Sequence, residues 1–410
     1  MHPTPVFDAK DNGAVPLGDL PVWDLTDLYP APDAPELAAD LDRLRDKATA
    51  FAADYQGKLA DLDSAGMAQC IARYETINNL GGRIMSYAGL RHAQNTADPA
   101  RAKQLGDLQA RVTDDTTPLV FFSLEFNRIP DDRYQAVFAD PAIARYKPVF
   151  DRMRAMRPHQ LSDELEQFLH DNSVVGAAAW NRLFDETMTA LQFDVDGETL
   201  GLEPTLNLLT DHNRSRREAG ARALAVTFGA NQTLFARIHN TLAKEKAIED
   251  KWRKMPTPQY GRHLSNDVEP EVVEALRAAV VAAYPRLSHR YYALKARWLG
   301  LDKLQVWDRN APLPTETPRL IGWDEARDIV LDAYAGFDPE LADLARPFFE
   351  KGWIDAGVTP GKSPGAFAHP TVTDVHPYVL LNYLGKPRDV MTLAHELGHG
   401  VHQRLAAAQG

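Results

Sequence analysis

The stretch MTLAHELGHGVHQRLAAAQG, residues 391–410, places two histidines and a glutamate at a spacing that helical structure makes meaningful. Residues four apart on a helix project about 40° apart and lie one turn apart along the axis. His395 and His399 can therefore direct two imidazole rings at one metal ion if the stretch is helical. Glu396 projects about 100° away from His395, so its carboxylate can reach a water on that ion but is poorly placed as a third ligand.

The residues before the pair predict that helix. Pro387 suits a first helical turn, and Asp389 favours the positive end of the helix. An apolar face follows at helical spacing, made of Val390, Leu393, Ala394 and Leu397. On such a helix, H-E-x-x-H is the arrangement of zinc peptidases, in which the glutamate is the general base. The alternative is an amphipathic helix whose histidines hydrogen-bond locally.

Catalytic zinc takes three protein ligands and keeps one position for water, and the motif supplies two. No carboxylate follows His402, although an Asp or Glu upstream is possible in principle. His402 itself would crowd an ion held by the other two histidines, so we interpret it as solvated or as a partner of a ligand. We interpret His369 and His376 as histidines with ordinary hydrogen bonds. A metzincin needs histidine where the chain has Leu405, which excludes that subclass.

The charge, the cysteine content and the lack of long apolar segments exclude several classes of protein. The 410 residues carry a formal net charge of −12, which argues against a nucleic-acid or anionic-membrane partner. Cys70 is the only cysteine, so an internal disulfide is impossible and a reducing compartment is the natural interpretation. The first residues lack a basic segment followed by an apolar one, and no apolar stretch approaches the length of a membrane helix. We therefore expect a cytoplasmic protein.

Hydrophobic periodicity predicts a mainly helical chain. An apolar stripe runs from Leu37 to Tyr55 at steps of three and four. Further helices are predicted after Asp98 and around residues 64–92, 134–155, 161–191, 213–250, 270–298 and 323–335. Strand patterns are fewer: a hairpin over 191–202 around Asp196-Gly197, and short strands over 304–308, 365–369 and 377–383. Together they predict an irregular arm over 1–32, a helical domain over 33–190 and a second domain over 191–410.

The longer sequence around the motif resembles a known family. GKSPGAFAHP (361–370) and HPYVLLNYLGKPRDVMTLAHELGHGVH (376–402) resemble the M3 family of zinc oligopeptidases, specifically its oligoendopeptidase F branch. WDLTDLYP (23–30) is similar to the opening of that branch, and DHNRSRREAGARAL (211–224) is similar to the segment after its hairpin. The resemblance extends from the WDLTDLYP segment to the last residue.

The resemblance implies a mainly α, two-lobed protein that encloses a deep channel, with one Zn²⁺ ion at its floor and a small β-sheet beside the active-site helix. It implies an endopeptidase for short unfolded oligopeptides, because only an extended chain reaches the metal. His395 and His399 would be the zinc ligands, and Glu396 would be the catalytic base.

The resemblance also assigns a substrate-binding edge. Gly365, Ala366 and Phe367 would lie on a sheet edge that pairs with the substrate backbone, an arrangement that binds peptides of any sequence. Small residues there let a peptide approach closely. The alternative is a buried turn that serves only packing.

In this family the third zinc ligand is a glutamate on a helix downstream of the motif, and the groups that stabilise the oxyanion come later still. We therefore expect the third ligand to be a Glu beyond residue 410, with this chain as the N-terminal portion and 191–410 as the first part of the catalytic domain. The remainder would be either a separate C-terminal chain left by nicking at an exposed loop, which we favour, or absent through truncation.

Two rival functions stay open. An inactive peptide-binding fragment with an incomplete zinc site would bind peptides without cleaving them. An H-E-x-x-H enzyme of other chemistry would need a third ligand upstream and would act on a non-peptide substrate.

Overall fold

A computed structural model describes residues 17–314 and 319–409. Helices dominate this part of the chain, which confirms the predicted mainly α class. The helices are α1 Pro35–Tyr55, α2 Ser64–Gln94, α3 Pro99–Thr116, α4 Phe121–Arg128, α5 Asp131–Phe138, α6 Lys147–Ala155, α7 Asp163–Asn172, α8 Ala177–Ala190, α9 Leu202–Leu208, α10 Arg214–Ala230, α11 Gln232–Arg253, α12 Tyr260–Ser265, α13 Pro270–Ala283, α14 Arg290–Trp298, α15 Trp323–Phe337, α16 Pro339–Glu350 and α17 Pro387–Ala406. None of these helices is long and apolar enough to cross a membrane.

Local sequence explains where several helices begin. The Asp98 carboxylate accepts the backbone N–H groups of Ala100 and Arg101 at the start of α3, and Pro99 takes the first helical position. In α1 the predicted apolar stripe is buried, through Leu37, Leu44, Ala48, Phe51 and Tyr55. The cap of α3 and the buried face of α1 thus both follow from patterns in the local sequence.

Four predicted helices are each divided in two. The stretch 270–298 contains α13 and α14, with a π-helical turn at Pro285–His289 between them. The stretch 134–155 contains α5 and α6 with Pro141 between them, and proline removes a backbone donor that a continuous helix needs. The stretch 161–191 contains α7 and α8, which are separated near Gly176. The stretch 213–250 contains α10 and α11, which meet at Asn231. Hydrophobic periodicity by itself does not mark where one helix ends and the next begins.

The strands form two small sheets. They are β1 Phe193–Val195, β2 Glu198–Leu200, β3 Ile354–Asp355, β4 Phe367–His369 and β5 Tyr378–Leu380. β1 and β2 form the predicted hairpin, whose turn residues Asp196 and Gly197 have φ of 55° and 90°, as a tight two-residue turn requires. The other sheet has the order β3-β5-β4, with β5 parallel to β3 and antiparallel to β4. β4 is thus an edge strand of this sheet in the described residues.

The predicted strand over 304–308 is wrong. Val306–Asp308 is a turn of 3-10 helix. The Asp308 side chain is completely buried, and its two oxygens accept hydrogen bonds from Arg214, from Arg217 and from the backbone N–H of Gln305. The bend that brings this carboxylate to the two arginines of α10 replaces the extended conformation that the apolar pattern suggests.

This buried charge cluster predicts a pH-dependent contribution to stability. Burial alone would raise the pKa of Asp308, but the hydrogen bonds from Arg214, Gln305 and Arg217 outweigh it and lower the pKa to about 2. A lowered carboxyl pKa stabilises the fold above the unfolded value near 3.9, and that stability is lost as the pH falls towards 2. We expect Asp308→Asn to cost roughly 2 kcal/mol or more at pH 6, and about half as much at pH 3. Urea unfolding of both proteins at the two pH values measures this.

The exposed carboxylate of Asp302 provides the matched control. Asp302→Asn should change the unfolding free energy by less than about 0.5 kcal/mol at either pH. A cost of Asp308→Asn that stays the same from pH 6 to pH 3 would contradict the lowered pKa.

The main apolar core joins the first helices of the chain to the last ones. It combines buried residues of α1 to α6 with those of α15 to α17 and the three-stranded sheet, among them Leu44, Phe122, Ile354, Val379 and Leu397. A second, smaller cluster holds the hairpin against α10 through Phe193, Ala223 and Leu224. The domain boundaries at residues 32 and 190 stay a prediction, and residues 1–16 of the predicted arm lie outside the described residues.

Candidate metal centre

The motif lies on α17, and one face of that helix is buried. Leu393, Leu397 and Val401 are almost completely buried against the main core, and α17 packs on α15, α16, β4 and β5. The helix begins at Pro387, and the Asp389 carboxylate accepts the backbone N–H groups of Leu384 and Lys386. The predicted helix and the small sheet beside it are therefore confirmed.

Two contacts hold α17 against α15 and α16 close to the motif. The Tyr334 hydroxyl of α15 donates a hydrogen bond to the carbonyl of Ala394, the residue before His395, at 2.5 Å. Burial raises the pKa of Tyr334 to about 12, so the hydroxyl keeps its proton at neutral pH. Six residues after Ala394, a Cβ on Gly400 would come within 2.7 Å of the Phe348 ring of α16. This close approach explains a glycine in the interior of the helix.

The two motif histidines face each other on the exposed side of α17. Their Nε2 atoms are 3.1 Å apart, and the ring planes are nearly perpendicular, with centroids 4.7 Å apart. Both side chains are exposed, and Glu396 between them is half-buried. The geometry permits a hydrogen bond between one protonated and one unprotonated nitrogen.

The same geometry fits a shared metal ion. Zinc binds histidine nitrogen at 2.0–2.1 Å and prefers tetrahedral angles, so two ligand nitrogens would lie about 3.3 Å apart. The observed separation of 3.1 Å is close to that value. Across residues 17–314 and 319–409, no group of three or more His, Cys, Asp or Glu side chains is arranged to hold a metal. The described residues thus bring together two candidate ligands.

His369, His376 and His402, the three further histidines considered from the sequence, have different surroundings. His369 ends β4, and its Nε2 lies 2.9 Å from the Ser86 hydroxyl. His376 stacks on Trp353, and its Nε2 lies 2.9 Å from an Asp27 carboxylate oxygen. Burial lowers the pKa of both histidines. Their ordinary hydrogen bonds agree with the interpretation from the sequence, and the exposed position of His402 agrees with a solvated side chain.

Of the three predicted substrate-binding residues, only Phe367 belongs to the edge strand β4, and Gly365 and Ala366 precede it. Phe367 begins the edge strand β4 and pairs with Leu380 of β5. Gly365 has φ of 79°, its N–H donates to Glu203 at 2.8 Å, and its carbonyl accepts from Asn382. Ala366 lies between them. Their role in binding a substrate stays a prediction.

Sequence reasoning missed the residues that support the motif. Nothing in the sequence links Tyr334 to Ala394, because 60 residues separate them. Gly400 does carry a signal, since a glycine inside an otherwise regular helix often marks close packing. The amide of Gln403, one turn after His399, reaches the carbonyl of Ala368 in β4 at 3.4 Å. Its position on the histidine face of the helix could have drawn attention to it.

Two family profiles match parts of the chain. The profile described as Oligopeptidase F matches residues 125–193, and the profile described as Peptidase family M3 matches residues 336–409. The second match includes β4, β5 and the whole of α17.

Curated relatives are similar to most of the chain. Oligopeptidase PepF of Bacillus subtilis is 25% identical over 93% of this chain. The plasmid oligoendopeptidase F of Lactococcus lactis subsp. cremoris is 24% identical over 96% of it. The chain spans 57% of the length of the first relative and 65% of the second.

Solved structures share the fold. The oligoendopeptidase-F structure from Enterococcus faecium aligns with a TM-score of 0.63 and 22% identity, covering 75% of this chain and 59% of that one. The structure of PZ peptidase A with an inhibitor aligns with a TM-score of 0.69 and 15% identity, covering 89% of this chain and 62% of that one. At such identities the likeness shows the fold. The two profile matches and the curated relatives separately support a relationship to peptidase family M3 and to oligoendopeptidase F proteins.

Proposed function

We propose that this chain carries the active-site helix of a zinc-dependent oligopeptidase that hydrolyses short unfolded peptides. The observation that carries the proposal is the facing pair of His395 and His399, with Nε2 atoms 3.1 Å apart on the exposed side of α17. Glu396 lies between them in the chain and is the proposed catalytic base. The similarity to peptidase family M3 over residues 336–409 supports the same assignment.

The side chains of α17 have distinct roles in this proposal. His395 and His399 would hold Zn²⁺ with their imidazole rings, which bind a metal in the neutral form. When bound, zinc supplies Lewis-acid polarisation of a carbonyl and activates water at neutral pH. The Glu396 carboxylate accepts a proton from the attacking water and then donates it to the nitrogen of the leaving amine. Tyr334 and the apolar face of α17 keep these side chains in place.

The third zinc ligand is proposed to be a glutamate that follows residue 410, as in the family that the chain resembles. The comparisons give no support to a separate C-terminal chain as a partner. Oligopeptides are the proposed substrates, and the cytoplasm is the proposed location.

One observation favours a second candidate function. The described residues bring only two candidate ligands together, and these two by themselves would hold zinc weakly. An inactive peptide-binding protein with an incomplete zinc site is therefore the alternative. In this alternative, the edge strand β4 would bind peptides as in the first candidate, but the bound peptides would not be cleaved.

Removal of the metal tests the proposal. We expect hydrolysis of short internally quenched peptides to stop after treatment with a chelator and to return when zinc is added, because the proton transfer to Glu396 needs an activated water. A folded protein that contains the same peptide sequence should resist cleavage. Turnover that a chelator leaves unchanged would contradict the proposal, and zinc-independent peptide binding without turnover would favour the second candidate.

A further inference from the structure

The register of the small sheet determines which backbone groups of β4 face outwards. In β5, the Val379 N–H donates to the carbonyl of Trp353, which precedes β3, and the Leu381 N–H donates to the carbonyl of Asp355. Alternate residues of a strand face opposite neighbours, so Tyr378 and Leu380 face β4. Their partners there are His369 and Phe367.

Ala368 therefore turns its N–H and carbonyl away from β5, towards the side of β4 that has no paired strand in the described residues. It is paired with Val379, whose own backbone N–H is used on the β3 side. Alternation along an extended strand predicts the same orientation for Ala366. The outward row at this edge is thus Ala366 and Ala368, whereas the backbone groups of Gly365 are bonded to Glu203 and Asn382.

Gln403 reaches this outward row from the helix that carries the motif. It follows His395 and His399 at successive steps of four residues, so the three side chains lie on one face of α17. Its Nε2 donates to the Ala368 carbonyl at 3.4 Å, and its buried Oε1 has no hydrogen-bond partner in the described residues. The opposite orientation of the amide would place two oxygens against each other, so the contact sets how the amide points.

We propose that Gln403 is a specificity-determining residue that limits the length of peptide backbone bound along β4. Its amide donates a hydrogen bond to the Ala368 carbonyl. That carbonyl is then not available to a bound peptide, and the row of backbone groups with which the peptide can pair ends there. The inference rests on the proposed function, in which β4 is the strand that binds substrate. A peptide backbone that pairs with the edge then stops at Gln403. The Ala368 carbonyl is the next hydrogen-bond acceptor that such a backbone would otherwise use.

Binding of a peptide length series tests the inference. The measurement uses fluorescence anisotropy with labelled peptides of increasing length and zinc-supplemented protein in which Glu396→Gln prevents cleavage. Adding Gln403→Ala should tighten binding of the longest peptides roughly two- to tenfold, the effect of one additional backbone hydrogen bond. The shortest peptides should bind as before, because they do not reach Ala368. Gln403→Asn, whose shorter amide cannot reach the carbonyl, should act in the same direction.

A matched control and the opposite outcomes separate this role from a purely structural one. Leu405→Ala alters a 54% exposed side chain in the same last turn and should change binding at no length. An equal effect of Gln403→Ala on all lengths would mean that the contact only tethers β4 to α17, and a failure of every peptide to bind would mean that β4 is not a pairing edge. Either result overturns the inference. Hydrolysis with Glu396 intact is measured separately, and its absence beside length-dependent binding would overturn the proposed function alone.

Discussion

Replacement of Glu396 by glutamine should lower kcat for peptide hydrolysis by about 100-fold to 10,000-fold, the usual contribution of a general base. Glutamine keeps the size and hydrogen-bonding shape of the side chain but cannot accept a proton from water at neutral pH. Glu396 is not one of the two proposed zinc ligands. The zinc content of the variant should therefore stay at the wild-type level. Steady-state hydrolysis of a quenched peptide, together with metal analysis of the purified protein, measures both quantities.

Glu350 provides the matched control for this substitution. It is an exposed glutamate at the end of α16, so Glu350→Gln makes the same chemical change outside the motif and should leave kcat unchanged. Substantial hydrolysis by the Glu396→Gln variant, or a parallel loss of zinc, would show that Glu396 is not the base that we propose.

Loss of either facing histidine should abolish zinc binding. His395→Ala or His399→Ala leaves one imidazole where two Nε2 atoms lie 3.1 Å apart. Changes in groups that merely support a ligand already cost 10–100-fold in metal affinity, so loss of a ligand should cost more than about 100-fold. Competition with a chromophoric chelator measures the affinity, and peptide hydrolysis should disappear in parallel.

His402 is the control on the same helix. Its side chain is exposed three residues beyond His399, and His402→Ala should leave both zinc affinity and the rate of hydrolysis unchanged. If His402→Ala weakened zinc binding as much as His399→Ala, the third ligand would lie in this chain and the assignment of a later glutamate would be wrong.

The helical class and the facing histidines could be predicted because both follow from local backbone geometry. Residues four apart on a helix share a face whatever surrounds it, so His395 and His399 meet wherever the apolar pattern of α17 forms a helix. The hairpin around Asp196-Gly197 is a similar case, since the tight turn needs residues that accept positive φ.

One predicted element is wrong because distant residues determine its conformation. The segment 304–308 has an apolar pattern that suits a strand, but Asp308 bends it towards Arg214 and Arg217, which lie more than 90 residues earlier. The divisions of the long helical stretches near Pro141, Gly176 and Asn231 were not predicted either, because hydrophobic periodicity indicates helical structure without marking where one helix ends and the next begins.

The sequence by itself determined the helix that carries the motif, the shared face of its histidines and the place of Glu396 beside them, because each depends on residues within one turn. Only the tertiary structure decided which backbone groups of the edge strand face outwards. It also decided that Glu203 bonds Gly365 across 162 residues and that Tyr334 holds the carbonyl of Ala394. Such contacts depend on closing long stretches of chain around a common core, and no local spacing encodes which distant groups then meet.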